Sequence, residues 1–210
     1  ASEGDIEVIT ALKDQIADID IVSSNDTKIS ALWLAANKGQ VETVKTLAAF
    51  GANINSRDAL SGQTILHNAL LNGDIARAIE FIKLGVDLNI ANSLGYSSWH
   101  AAAGDGNEEL LTIMRSHVDD IDQASANDLK ITALWVAANK GKIDIVRLLV
   151  KWGANINALS SCGQTVLHDA IVKKDINSAI ELIKLGADIR IAESSEGFST
   201  LHVLSGRGDS

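Results

Sequence analysis

The chain has 210 residues, 46% of them apolar, 4% aromatic and none proline, with a formal net charge of −9 and a mean hydropathy of +0.12. An apolar share of this size excludes disorder, and the dominance of Ala, Leu and Ile over aromatics favours many short helices over a β-rich fold. The acidic balance excludes grip on a phosphate backbone, which needs a basic footprint, and suits either solubility or a basic protein partner.

Taken in chain order, residues 4–26 read as one helix followed by a loop. A first short helix is expected over 30–38, where Leu32, Ala35 and Ala36 form one apolar stripe and small alanines allow close helix approach. Ser30 is placed to cap it by accepting a backbone N–H bond, as are Thr64, Thr132 and Thr165 further along. Gly39 ends that helix in a tight turn. A second helix is expected over 41–50, with Val41, Val44 and Leu47 on one face and Gly51 closing it in a conformation that tolerates positive φ. The ANIN segment after Gly51 leads into a hairpin-like loop.

The same order then recurs. Residues 32–51 (LWLAANKGQVETVKTLAAFG) and 134–153 (LWVAANKGKIDIVRLLVKWG) share ten of 20 positions at an offset of 102. The stretch from Gly4 matches that from Gly106, and 95–100 (GYSSWH) matches 197–202 (GFSTLH). Residues 62–67 (GQTILH) match 163–168 (GQTVLH) at 101. A shorter period lies inside this block. A Trp or His near the first-helix start recurs at Trp33, His67, His100, Trp135, His168 and His202, spaced by 34, 33, 35, 33 and 34 residues. Glycines close the second helix at Gly51, Gly85, Gly153 and Gly186, with Val118 in that slot once. The expected boundaries are a half-repeat 4–26, full repeats 27–60, 61–93, 94–128, 129–161 and 162–195, and a half-repeat 196–210. Such ends suggest a piece of a longer array.

The period, and the segments GQTILHNAL, GQTVLHDAI and GFSTLHVL, resemble the ankyrin repeat, whose signature is roughly T-P-L-H-x-A near 33 residues. The resemblance covers nearly the whole chain. It departs in lacking the proline throughout and in carrying Trp for His at two positions. It implies an all-α repeat fold, an ankyrin-type solenoid of stacked helix–turn–helix units joined by hairpin-like loops. It also implies a histidine that bonds to backbone between repeats, and partner binding through the hairpin tips and first-helix face. Helices of about ten residues are marginal alone, so stability should accrue between neighbours.

Nothing in the sequence signals chemistry. Four of the five histidines share one repeat slot, and His117 stands alone as a surface residue. There is no His-E-x-x-His, cysteine cluster, phosphate loop or nucleophile elbow. The pairs Glu108/Glu109 and Asp119/Asp120 sit at a helix start and in a loop, where carboxylates favour the helix dipole. Cys162, the only cysteine, reads as a loop residue. It allows no intrachain disulfide and favours a reducing, intracellular setting. No run nears the ~18 apolar residues of a membrane span, and no signal peptide is visible. We expect no enzyme activity, cofactor, metal, nucleic acid or membrane partner. Trp33, Trp99 and Trp135 read as core and Trp152 as more open. Asn55, Asn89 and Asn157 read as shaping their own loops. Arg207-Gly208-Asp209 resembles the tripeptide read by integrins, yet it aligns with the ordinary turn at Gly4-Asp5 and Gly106-Asn107.

The expected tips are 28–29, 57–60, 92–96, 129–131, 159–164 and 193–198. Large apolar residues fall there: Ile29, Leu60, Leu94, Tyr96, Leu129, Ile131, Leu159 and Phe198. They form either a partner-binding patch or packing between adjacent hairpins. Asp58, Asp105, Asp169, Glu193 and Glu196 would complement a basic partner. The expected function is a protein-binding scaffold. The alternatives are a substrate-recruiting or regulatory segment of a larger enzyme, and a self-stacking structural or designed solenoid associating end to end.

Overall fold

The computed structural model describes residues 3–191 and 199–205. Its elements are α1 (Glu3–Leu12), a 3-10 turn (Lys13–Gln15), α2 (Ala31–Asn37), α3 (Val41–Ala49), α4 (Ile65–Leu71), α5 (Ile75–Lys83), α6 (Ser98–Asp105), α7 (Glu108–Arg115), α8 (Ala133–Asn139), α9 (Ile143–Lys151), α10 (Val166–Val172), α11 (Ile176–Lys184) and α12 (Thr200–Ser205). No strand forms among the described residues, only the antiparallel bridges Val22–Ser30 and Ala91–Ser97. The all-helical repeat fold is thus as expected. Contacts divide the chain into two compact units, Ala1–Ser98 and Trp99–Ser210.

Each first helix starts where a hydroxyl offers itself. Ser30 Oγ accepts from Trp33 N at 3.2 Å, and Thr64, Thr132 and Thr165 do the same for the third residue of their helices. Several second helices use carboxylate or amide caps instead, as Asp74, Asn107 and Asp175 accept from Arg77, Leu110 and Ser178. The turn between paired helices needs a left-handed residue. Gly39, Gly73, Gly106 and Gly141 fill it, and Lys174 at φ +61° takes the slot before α11.

Packing follows one rule in each unit. In the first, α2 lies on α3 and α4 on α5, while α2 packs on α4 and α1 on α3. In the second, α8 packs on α9 and α10, and α10 on α11 and α12. First helices therefore stack on first helices. The buried stripes are Leu32, Ala35 and Ala36 in α2, Leu66, Ala69 and Leu70 in α4, and Leu134, Ala137 and Ala138 in α8. Burying one such leucine contributes roughly 1.5–3 kcal/mol, which helices of seven residues cannot gain alone.

Polar ties join successive repeats. Trp33 Nε1–H donates to the Gln63 carbonyl at 3.1 Å. His67 Nε2 meets the Tyr96 carbonyl at 3.0 Å, and His100 Nε2 the Ile131 carbonyl at 3.2 Å. A carbonyl only accepts, so each imidazole donates through Nε2. In His67 the other nitrogen, Nδ1, accepts from Thr64 N. The tryptophan departure is therefore functionally the same as the histidine: both present a ring N–H to the residue before the next cap. Trp33, Trp99 and Trp135 are buried as expected, and His117 is exposed. Asn55 and Asn157 do more than shape their own loops. Their side-chain oxygens accept from Asp87 N and Asp188 N of the following repeat, both at 2.8 Å. Asp20 and Asp122 do likewise for Asn53 and Asn155.

Candidate protein-binding surface

The hairpin tips are built by main-chain geometry. Two residues before the first-helix caps of α2, α4, α6, α8 and α10 the backbone is left-handed. Gly62, Gly95 and Gly163 sit there at φ +63°, +80° and +72°, and Lys28 and Lys130 at +44° and +49°. At Gly62 an added Cβ would meet Ser93 N and Oγ at 2.9 Å, so the neighbouring tip excludes any side chain. Adjacent tips are then tied by backbone bonds. Ala59 N donates to Thr27 O at 2.8 Å and Ser93 N to Ser61 O at 2.9 Å in the first unit. In the second, Ser161 N donates to Leu129 O at 2.9 Å.

Polar side chains hold each tip's own shape. The Asp58 carboxylate accepts from Leu60 N, Ser61 N, Ser61 Oγ and Gln63 N at 2.6–3.0 Å. Burial would raise its pKa, but these four bonds outweigh burial and hold it below the usual value. Asn92 Oδ1 plays the same part for Leu94 N and Tyr96 N. Ser125 and Ile131 close theirs through Ser125 N to Ile131 O at 2.8 Å and Ile131 N to Ser125 Oγ at 3.0 Å.

The candidate contact residues separate accordingly. Leu60, Leu94, Leu129 and Leu159 are exposed by 65%, 70%, 49% and 53%. Ile29 and Tyr96 are half-buried. Ile131 is only 6% exposed, so its place at an open tip is corrected: the loop closure through Ser125 turns it inward. Asp58 is likewise buried and committed to its loop. Asp169 pairs with Lys173 Nζ at 2.9 Å, whereas Asp105 is exposed. Phe198, Glu193, Glu196 and the Arg207-Gly208-Asp209 tripeptide lie outside the described residues.

At the first-helix ends beyond the tips, two exposed residues were missed by sequence. Leu71 and Val172 end α4 and α10 with their side chains open to solvent. The corresponding ends of α2, α6 and α8 are Asn37, Asp105 and Asn139. An apolar residue in a slot otherwise polar was the available signal.

The described residues bring no group of three or more His, Cys, Asp or Glu side chains together to hold a metal. None of their helices is long and apolar enough to cross a membrane. Burial lowers the pKa of His67 and His100, against the opposing pull of their carbonyl partners. Asp188 is drawn down to about 2 by the side chain and backbone N–H of Arg190.

A family model of ankyrin repeats matches in three copies, over residues 1–92, 66–158 and 99–193. The chain belongs to the ankyrin-repeat family. This ankyrin array is 25% identical to the nuclear factor NF-kappa-B p105 subunit of Gallus gallus over 218 residues, covering 99% of the chain and 22% of that protein. It is 33% identical to the poly [ADP-ribose] polymerase tankyrase of Caenorhabditis elegans, covering 95% of the chain and 9% of that protein. It is 26% identical to neurogenic locus notch homolog protein 2 of Homo sapiens, covering 77% and 6%. The array thus spans less than a quarter of the length of these relatives. Its fold matches the crystal structure of the ankyrin repeat domain of Bcl-3, described as a member of the IkappaB protein family. That match has a TM-score of 0.81 at 23% identity and covers 94% of the chain and 86% of the other. Ankyrin repeats are a general protein–protein interaction module.

Proposed function

We propose that the chain is a protein-binding scaffold that receives its partner on the hairpin tips and the adjoining first-helix ends. One observation carries this reading. Main-chain bonds tie neighbouring tips together, joined by Arg57 to the Ala91 carbonyl and Ser161 Oγ to the Asp128 carbonyl, yet Leu60, Leu94, Leu129 and Leu159 remain largely exposed. Large apolar side chains left open to solvent mark an interaction surface. Ile29, Tyr96, Leu71 and Val172 extend it, Tyr96 serving as the aromatic anchor. Attraction to a basic partner rests on Asp105 and the net charge of −9, and it acts on association rate more than on affinity. The repeats form one array, with the half-repeat, full-repeat and half-repeat boundaries given above. The scaffold itself performs no chemistry and holds no cofactor.

Affinity capture with quantitative mass spectrometry tests this. A partner retained by Lys83→Glu, on a second helix, should be lost from Leu60→Asp/Leu94→Asp and depleted by Tyr96→Ala. Equal recovery with all three would move the site off the tips. A second reading makes the array a substrate-recruiting segment of a larger enzyme, and the tankyrase comparison favours it. On that reading the tip variants lower turnover of the bound protein by the parent enzyme. Turnover that ignores them excludes it.

A further inference from the structure

Two apolar surfaces at opposite ends of the repeat order are left uncovered. In the first unit an open groove of about 330 Å³ runs between α1, α2 and α3, walled by Ile9, Leu12, Ile16, Leu34 and Ala35 with Thr43 at its base. Leu34 is 41% exposed on its wall. The Thr43 hydroxyl is buried and has no hydrogen-bond partner. One repeat later the equivalent position is Arg77, which reaches back to donate to the Ala36 carbonyl near the end of the preceding first helix, at 3.2 Å. Thr43 therefore faces the place where the carboxyl end of a first helix belongs. In the second unit, Ile176, Ile180 and Ile183 stand exposed on α11. Their spacing of four and three residues makes one stripe along the helix.

We propose that these surfaces join copies of this chain head to tail. The α12 helix of one copy fills the groove of the next. The α11 stripe of the first copy covers α1 of the second, whose Val8 and Leu12 are themselves exposed. Both contacts repeat packing seen within the units, where first helix lies on first helix (α10 on α12) and second on second (α1 on α3). The sequence carries the same match. Residues 95–100 align with 197–202, and the stretch from Gly106 aligns with that from Gly4, both at 102. Seating α12 before α1 of another copy restores the order that α6 and α7 hold in mid-chain. Such a contact is heterologous, so growth continues past the dimer. One short helix and one helical stripe take part, which places the contact with weak interfaces of under about 1,200 Å².

Sedimentation velocity over roughly 10 to 500 µM tests the proposal, a range suited to weak contacts. The parent chain should show a sedimentation coefficient that rises with concentration. Leu34→Glu should block the groove and Ile180→Glu the stripe, each remaining monomeric with unchanged helical circular dichroism. Mixed together, they retain one good end each and should form a one-to-one heterodimer that grows no further. Thr43→Val should weaken association roughly three- to ten-fold, the effect of one net hydrogen bond. Thr112→Glu, exposed on α7 and away from both surfaces, should change nothing. A parent chain monomeric throughout overturns the proposal and assigns the groove to a helix from another protein or another stretch of a longer chain. Association that survives either single variant, or a mixture that stays monomeric, overturns it as well.

Discussion

Gly62 and Lys130 occupy the same left-handed position in different tips, and opposite substitutions should have opposite effects. Gly62→Ala adds both a strained φ and a Cβ against Ser93, and should cost about 1–3 kcal/mol in urea denaturation. Lys130→Gly relieves an L-residue held at φ +49°. Relief of about 1–2 kcal/mol exceeds the entropy cost of glycine, about 0.5–1 kcal/mol, so a small gain in stability is expected. His67 and His100 set a pH dependence. Burial lowers both below the ordinary 6.5, so the folded state prefers them neutral. Above that value both states are neutral and these groups contribute no slope. As pH falls through it, the unfolded chain binds protons first and stability is lost, levelling off below the folded values. The urea midpoint should drop between about pH 7.5 and about pH 5.5, and drop less in His67→Gln/His100→Gln. An unchanged drop would place the dependence elsewhere. The slot of these histidines was plain in the sequence. The fate of Asp58 and Ile131 was not, because a carboxylate that shapes a loop and one that faces a partner have the same spelling.

Between helices, the 102-residue duplication preserves a charge arrangement. Glu42, Lys45, Glu80 and Lys83 alternate across α3 and α5, with Lys45 bridging Glu42 at 2.9 Å and Glu80 at 3.1 Å. Asp144, Arg147, Glu181 and Lys184 do so across α9 and α11. Cations at both sites lower the pKa of Glu80 and Glu181, led by the side-chain bonds from Lys83 and Lys184. All four-member sets are solvent-facing, so salt should weaken them. Glu181→Gln should reduce the melting temperature at low ionic strength and shrink its dependence on added salt; an unaltered salt response would show the network inert. Trp33→Phe strips the donor from the Gln63 carbonyl and also shrinks a buried ring. It should cost about 1–3 kcal/mol through that unsatisfied group. Helix positions were legible because caps, apolar spacing and turn glycines are local signals. The bond from Asn55 to Asp87 was hidden, since it spans 32 residues and no local pattern announces it.

Across the whole chain, two compact units imply unequal responses to local damage. Leu134 is fully packed in α8, and Leu134→Ala should cost about 2–5 kcal/mol. With stability shared mainly between neighbours, hydrogen exchange should quicken in α8 to α11 well before α2 to α5. Uniform quickening would mean that the chain opens as one body. The repeat fold was readable from periodicity, whereas the exposed stripe on α11 and the groove beside α1 depend on what neighbours fail to cover, and composition is silent on that. The main-chain ties between tips carry a last consequence. Because Thr27, Ala59, Ser61 and Ser93 are joined through their amides and carbonyls, the letters at 60 and 94 can be rewritten without altering the scaffold's grammar. If the tips are the binding surface we propose, such a chain would change its client by a handful of point substitutions while its folding instructions stay untouched.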